Sequence, residues 1–339
     1  MYHRLEKNNN FNIPSDIFLE YPNYLLFFTH GNYLKEGKIG PYSGFATGRE
    51  KKNTLLRTIA EGIERRSTML GGQKTKTNNV LAWDILNDKV NVLNYTNTTF
   101  KDNEIDTTGS AVHTSQDEAI YGAIKELYEK NSLFLFWYGR KGNKIKLSEY
   151  YDNYHFIFFE NSGYSVSIFV NEYFFPIKTI IVLAYKKGHT FFCGLGSSNI
   201  LKNAIAHALE EVFLIASLYY YKNNPEEIKE NNIYNMDEFT YKYIKSFDNL
   251  PYKEINNQEK DEISLKELIL LSPDFVNSIN VMFIQQNLIP GLICVKVYID
   301  GLFNCLPKKG NINKKILINE NTIKVDSENL SLIPDCPMS

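Results

Sequence analysis

The chain has 339 residues, of which 43% are hydrophobic and 14% aromatic, enough to bury a sizeable core as one large domain or two. Its 37 Lys and Arg against 39 Asp and Glu leave a formal net charge of −2, with the basic residues scattered rather than patched, which argues against a nucleic-acid or anionic-lipid partner. No apolar run is long enough to span a bilayer, and the N-terminal MYHRLEKNNN lacks a secretory apolar region, so no membrane association and a cytoplasmic location are expected.

In chain order, the first predicted helix follows the Gly-containing turn of SGFATGREKKNTLLRTI and runs into AEGIERRS, where Glu61, Glu64 and Arg65 form Glu-x-x-Glu-Arg. The second follows TTGSAVHTSQDEAIYGAI and carries Glu126, Glu129 and Lys130 in KELYEKNS. Five runs rich in aromatic and β-branched residues come next and predict strands: SLFLFWY (132–138), YHFIFFE (154–160), YSVSIFV (164–170), KTIIVLAYK (178–186) and HTFFCGL (189–195). A looser third copy of the loop-to-helix design follows in CGLGSSNILKNAIAHALEEVFLIAS, with Gly194, Gly196, Ser197 and Ser198 ahead of Glu210 and Glu211. Charged, Asn-rich sequence from about 221 to 263 predicts an exposed excursion, after which the apolar LKELILLS and a strand pair around Pro290 and Gly291 resume the core. The expected class is α+β, a mixed and mostly antiparallel sheet with the glutamate-bearing helices packed against it. No linker divides residues 1–339, which read as a single domain ending in a proline-containing tail, 332–339.

On a helix, residues three apart stand about 60° apart around the axis and about 4.5 Å along it, so each Glu-x-x-Glu puts two carboxylates on one face. Taken singly, such a pair is what a solvated helix face carries. Two faces meeting would instead gather four hard oxygen donors, the chemistry of a magnesium nucleotide site with Glu61, Glu64, Glu126 and Glu129 as metal ligands. Small residues before each helix would let phosphate reach free backbone N–H groups, although Gly and Ser there are also ordinary turn and capping residues. Cys193, Cys294, Cys305 and Cys336 are widely spaced, which argues against a zinc site and a disulfide framework. His207, with no second ligand at metal spacing, reads as a packing or surface residue. Neither a Gly-x-Ser-x-Gly elbow nor a P-loop occurs.

These residues resemble the YcaO superfamily, in its azoline-forming cyclodehydratase branch from thiazole/oxazole-modified microcin pathways. GFATGREKKNTLLRTIAEGIERRS follows the family's first motif without a gap. TTGSAVHTSQDEAIYGAIKELYEKNSLFLFWYGR keeps the Gly, the Glu118-Ala119 step, both helix glutamates and Trp137 of the second. Gly194 to Ser198 with Ala208, Leu209 and Glu211 meet the third, LIPGL (288–292) the Pro-Gly-Leu strand, and IPDCPMS is similar to the proline-rich end. The resemblance implies a YcaO-like fold and ATP with Mg2+ as cofactors. It implies phosphorylation of a peptide backbone amide of a ribosomal precursor, so that a Cys, Ser or Thr side chain closes a thiazoline or oxazoline, as in bacteriocin biosynthesis. It places Glu118, Thr114 and Ser115 beside the nucleotide, and Arg65 and Lys130 near phosphate, with an intrahelical ion pair as the other role for Arg65. Departures are Lys130 for Arg, Ala111 for Ser, Gln286 for an Arg of the nucleotide site, and Leu214 for Gln.

The expected partners are the precursor peptide and a separate E1-like or ThiF-like scaffold that binds its leader, since the first motif begins by residue 44. A flavin dehydrogenase and homodimerisation follow from the pathway and the family. The same ATP chemistry would serve thioamidation or amidine formation, and Lys130 with Gln286 would suit a non-catalytic docking subunit.

Overall fold

The computed structural model describes residues 24–29, 34–35, 38–39, 43–70, 79–94, 106–146, 153–222, 236–254, 262–286 and 288–337. In chain order the regular elements are β1 (Tyr24–Thr29), β2 (Leu34–Lys35), β3 (Lys38–Ile39), β4 (Ser43–Gly48), α1 (Lys51–Leu70), β5 (Asn79–Asp84), β6 (Lys89–Asn94), β7 (Ser110–His113) and α2 (Gln116–Gly139). They continue with β8 (Asn143–Ile145), α3 (Tyr154–Asn161), β9 (Ser165–Asn171), β10 (Lys178–Tyr185), β11 (Phe192–Ser198), α4 (Leu201–Lys222), α5 (Glu238–Ser246) and β12 (Tyr252–Lys253). The last are α6 (Leu265–Leu270), β13 (Ile279–Ile284), β14 (Ile293–Ile299), α7 (Leu317–Asn321) and α8 (Ser327–Ser331).

Two five-stranded sheets, ordered β6-β5-β13-β14-β7 and β11-β10-β9-β8-β12, carry the fold, and β1 pairs with β4 alongside them. All pairings are antiparallel except β8 with β12. Helix α2 lies between the two sheets. Its Leu127, Leu133, Phe134, Phe136 and Trp137 share one core with Val281, Val295 and Val297 of the first sheet and with Phe169, Ile181 and Leu183 of the second. The other face of the second sheet is covered by α3 and α4 through Phe156, Phe158, Ala208, Leu209 and Val212. The α+β class and its mostly antiparallel sheets therefore agree with the expectation.

Two predicted strands are helical. Residues 132–138 are the last two turns of α2, buried throughout because sheets lie on both sides of it. A helix enclosed all round has no polar face, so its apolar run has no period to separate it from a buried strand. It stops at Arg140, which takes a left-handed φ of 53° and returns its N–H to the carbonyls of Leu135 and Phe136. Residues 154–160 form α3, where the side chain of Asn153 accepts from the His155 N–H and this cap outweighs the β propensity of the aromatics.

The polar excursion is not exposed throughout. Within it α5 forms, Ile244 and Phe247 are fully buried, and Asp248 accepts from Lys144 Nζ at 2.5 Å, Tyr185 OH at 2.7 Å and Ser167 Oγ at 2.8 Å. A charged average hid one apolar helix face; residues 223–235 and 255–261 lie outside the described residues. The tail is anchored on α2, since Trp137 Nε1 donates to the Pro334 carbonyl at 2.9 Å and Tyr138 OH to Asp335 Oδ1 at 3.2 Å. All four cysteines are buried free thiols.

Candidate functional site

The three glutamate helices each follow a strand and are tied to it in the same way. Glu61 of α1 accepts from the Phe45 N–H at 2.6 Å, Glu126 of α2 from the Gly109 N–H at 2.9 Å, and Glu211 of α4 from the Leu195 N–H. The sequence separations are 16, 17 and 16 residues, so one strand-to-helix unit is used three times. Glycine makes the approach close enough. A Cβ at Gly44 would stand 2.4 Å from the Thr58 carbonyl oxygen and the Gly62 nitrogen, and one at Gly194 would stand 2.2 Å from the Ala208 oxygen. Three residues beyond each tethered glutamate come Glu64, Glu129 and Leu214.

All six of these residues line one cavity of about 420 Å³, together with Arg57, Lys130, His207 and Glu210 and an apolar wall that includes Phe45, Ala60 and Leu195. Three of its carboxylates have cations bonded to them. Arg65 holds Glu61 at 2.6 Å and also donates to the Ser43 carbonyl, Lys130 holds Glu129 at 2.9 Å, and Arg57 holds Glu210 at 2.8 Å. Glu64, Glu126 and Glu211 have no ion pair among the described residues, and the Glu64 carboxylate has no hydrogen bond there either. Burial, then the charges of Glu126 and Glu61, raise the proton affinity of Glu64 well above the carboxylate range. Burial pushes Glu126 and Glu211 up to about 7, with Lys130 as the leading opposing influence on each. Burial also raises Glu61, against Arg65. For Lys130, burial acts to lower the ammonium but is outweighed by Glu129, Glu211 and Glu126, which raise it. Lys296 of β14, 1% exposed and outside the cavity lining, also opposes the rise of Glu64 and Glu126 through its charge and donates to the carbonyls of Asp106 and Thr108.

Of the residues singled out in the sequence, Glu61, Glu64, Glu126, Glu129 and Lys130 line the cavity. Arg65 stands beside it, bonded to Glu61. Thr114, Ser115 and Glu118 are exposed at the start of α2, outside the cavity lining. Gln286 serves its own turn, donating to the carbonyls of Ile289 and Leu292 and accepting from the N–H groups of Leu288 and Ile289. Glu210 and Glu211 were legible in the third loop-to-helix copy, and the structure adds the tether of Glu211 to the Leu195 N–H, whereas Arg57, His207 and Lys296 bear no sequence signal that separates them from surface or strand residues.

Among the described residues, no three His, Cys, Asp or Glu side chains stand close enough to hold one metal ion by themselves. That distribution fits Mg2+, which is bound through one or two carboxylates plus waters and phosphate oxygens rather than in an all-protein cage. Hard oxygen donors, two of which, Glu64 and Glu126, are half-buried at the cavity with no cation bonded to them among the described residues, fit it further. No described helix is long and apolar enough to cross a membrane.

Residues 75–264 match the family described as YcaO cyclodehydratase, ATP- and Mg2+-binding. No curated protein matches the chain. Its fold is similar to the structure of YcaO from Methanopyrus kandleri bound with AMPPCP and Mg2+, with a TM-score of 0.60 and 12% identity over 84% of this chain and 87% of that one. It is similar to a chain of the E. coli microcin synthetase McbBCD complex with pro-MccB17 bound, with a TM-score of 0.64 and 17% identity over 88% and 91%. It is also similar to a heterocyclase in complex with substrate and cofactor, with a TM-score of 0.58 and 14% identity over 86% of this chain but 52% of that chain. The match over more than half the chain, with the fold and the carboxylate cavity, identifies this protein as a member of the YcaO family, whose domain binds ATP and Mg2+.

Proposed function

We propose that this single-domain chain is the ATP-dependent cyclodehydratase subunit of a cytoplasmic complex that forms thiazolines or oxazolines at Cys, Ser or Thr of a ribosomal precursor peptide, as in bacteriocin biosynthesis. The observation that carries this reading is the Glu64 and Glu126 pair, half-buried at one cavity with no cation bonded to either among the described residues. A charge arrangement of this kind costs stability unless a cation or a proton completes it.

Glu61, Glu64, Glu126 and Glu129 are assigned to Mg2+, and Lys130 faces the phosphates as a point charge. Arg65 orients Glu61, and the Phe45, Gly109 and Leu195 N–H groups fix one oxygen of Glu61, Glu126 and Glu211. Such prior fixing is what positions charge for phosphoryl transfer. Thr114, Ser115 and Glu118 are assigned to the outer end of the nucleotide, and Gln286 to the shape of its turn. When bound, ATP supplies the phosphoryl group that turns an amide oxygen into a leaving group. Likeness to a chain of the McbBCD complex with pro-MccB17 bound supports partner subunits and a peptide substrate, and the partners proposed here are a separate scaffold that binds the leader and a flavin dehydrogenase.

The test is reconstitution with the candidate scaffold, a Cys-containing precursor and Mg-ATP. The reading predicts loss of one water per ring by mass spectrometry, matched by phosphate release, and neither event with Glu64→Gln. An intact precursor alongside a folded, ATP-bound complex would sink it.

A further inference from the structure

Lys130 is buried among carboxylates from two helices. Its side chain is 7% exposed, its Nζ lies 2.9 Å from Glu129 Oε1, and Glu211 of α4 and Glu126 of α2 are the next negative charges around it. Among the described residues the ammonium has no other bonded partner, unlike Lys296, whose ammonium is taken up by two main-chain carbonyls. An ammonium is a compact point charge on a flexible stem and can stand in a cluster of carboxylates as a monovalent cation would. Removing it would leave Glu129 without its cation and Glu126 and Glu211 without their principal opposing charge, three half-buried carboxylates repelling one another at a cost in stability.

The same charge acts in opposite directions on two ligands. Free Mg2+ entering beside Glu126 and Glu129 meets a fixed positive charge a few ångströms away. Mg2+ arriving with a triphosphate belongs to an anionic complex, which that charge attracts. We propose that Lys130 is a resident counter-ion that lets the glutamates of α2 and α4 fold together without metal and makes their uptake of Mg2+ depend on nucleotide. This rests on the ATP and Mg2+ reading of the cavity, and it concerns the order of binding rather than the reaction.

The experiment is calorimetric titration of the full chain with MgCl2, without and with saturating AMPPCP, for the wild type, K130M and K130R, accompanied by melting curves in EDTA and in Mg2+. The wild type is expected to bind Mg2+ at least about tenfold more tightly with AMPPCP, and K130M to bind Mg2+ alone at least about tenfold more tightly than the wild type does. K130R, which keeps the charge, should follow the wild type. K130M should melt below the wild type in EDTA and recover in Mg2+ alone, whereas damage unrelated to charge would weaken Mg2+ binding. K130Q, which keeps a polar end for Glu129, serves the same comparison where K130M does not fold. Wild-type protein that binds Mg2+ equally with and without AMPPCP, or a K130 variant with no gain for Mg2+ alone, overturns the assignment while leaving the metal site standing. Absence of Mg2+ uptake by every protein, even with AMPPCP, overturns the ATP and Mg2+ reading and this inference together.

Discussion

Glu64 on α1 and Glu126 on α2 line one cavity with no cation bonded to either among the described residues, and the charge of Glu126 adds to burial in raising the proton affinity of Glu64. The two residues are 62 positions apart, and the pairing of β7 with β14 and the contact of both helices with those strands bring them together. A pair of this kind makes the ligand-free protein sensitive to pH and to divalent cations.

The direction in pH follows from linkage. Glu126 and Glu211 are raised from 4.5 to about 7 in the folded state, so the folded protein holds protons that the unfolded chain has released. Stability of the ligand-free protein therefore falls as pH rises from the ordinary carboxylate range through about 7. Melting temperature should drop by a few degrees between about pH 6 and about pH 8. Glu126→Gln should flatten that slope and raise stability at the alkaline end, as scanning calorimetry without metal would show. A melting temperature that climbs over this interval would contradict the charges assigned here.

The C-terminal tail should be part of the cooperative unit. Trp137→Phe removes the donor to the Pro334 carbonyl and leaves that acceptor buried, at a cost of about 1–3 kcal/mol in urea unfolding. Cys336, buried and with its thiol raised by burial, should then react with a thiol reagent faster than in the wild type. Unchanged stability and labelling would mean that the tail is not held through Trp137.

Gly194→Ala should push α4 off β11, because its Cβ would stand 2.2 Å from the Ala208 oxygen and 2.5 Å from the Val212 nitrogen, both main-chain atoms. The expected loss is about 1–3 kcal/mol, and it should weaken the hold of Glu211 on the Leu195 N–H. Gly310→Ala, with nothing within 4 Å of the added carbon, is the control and should stay within about 0.5 kcal/mol of the wild type. Equal stability of the two variants would contradict the close strand-to-helix contact.

Much of the site was legible because its residues repeat. Two Glu-x-x-Glu segments with matching lead-in turns placed Glu61, Glu64, Glu126 and Glu129, and the structure brings all four to one cavity. Residues 132–138 were illegible for the opposite reason, since a helix enclosed by two sheets carries no alternation to reveal it. Phe247 was hidden by charged neighbours, and Lys296 by lying in an otherwise apolar strand, ICVKVYI. Gln286 was read for its place before Pro290, but its amide has four partners within its own turn, which sequence spacing does not show.

The most direct measurement is calorimetric binding of ATP with Mg2+ to the purified chain, with Glu64→Gln and Glu126→Gln beside the wild type. Binding that requires Mg2+ and weakens at least about tenfold in each variant is the predicted result. Equal binding by all three, or no binding at millimolar ATP with or without the scaffold partner, would contradict the carboxylate site and leave the chain as a docking subunit.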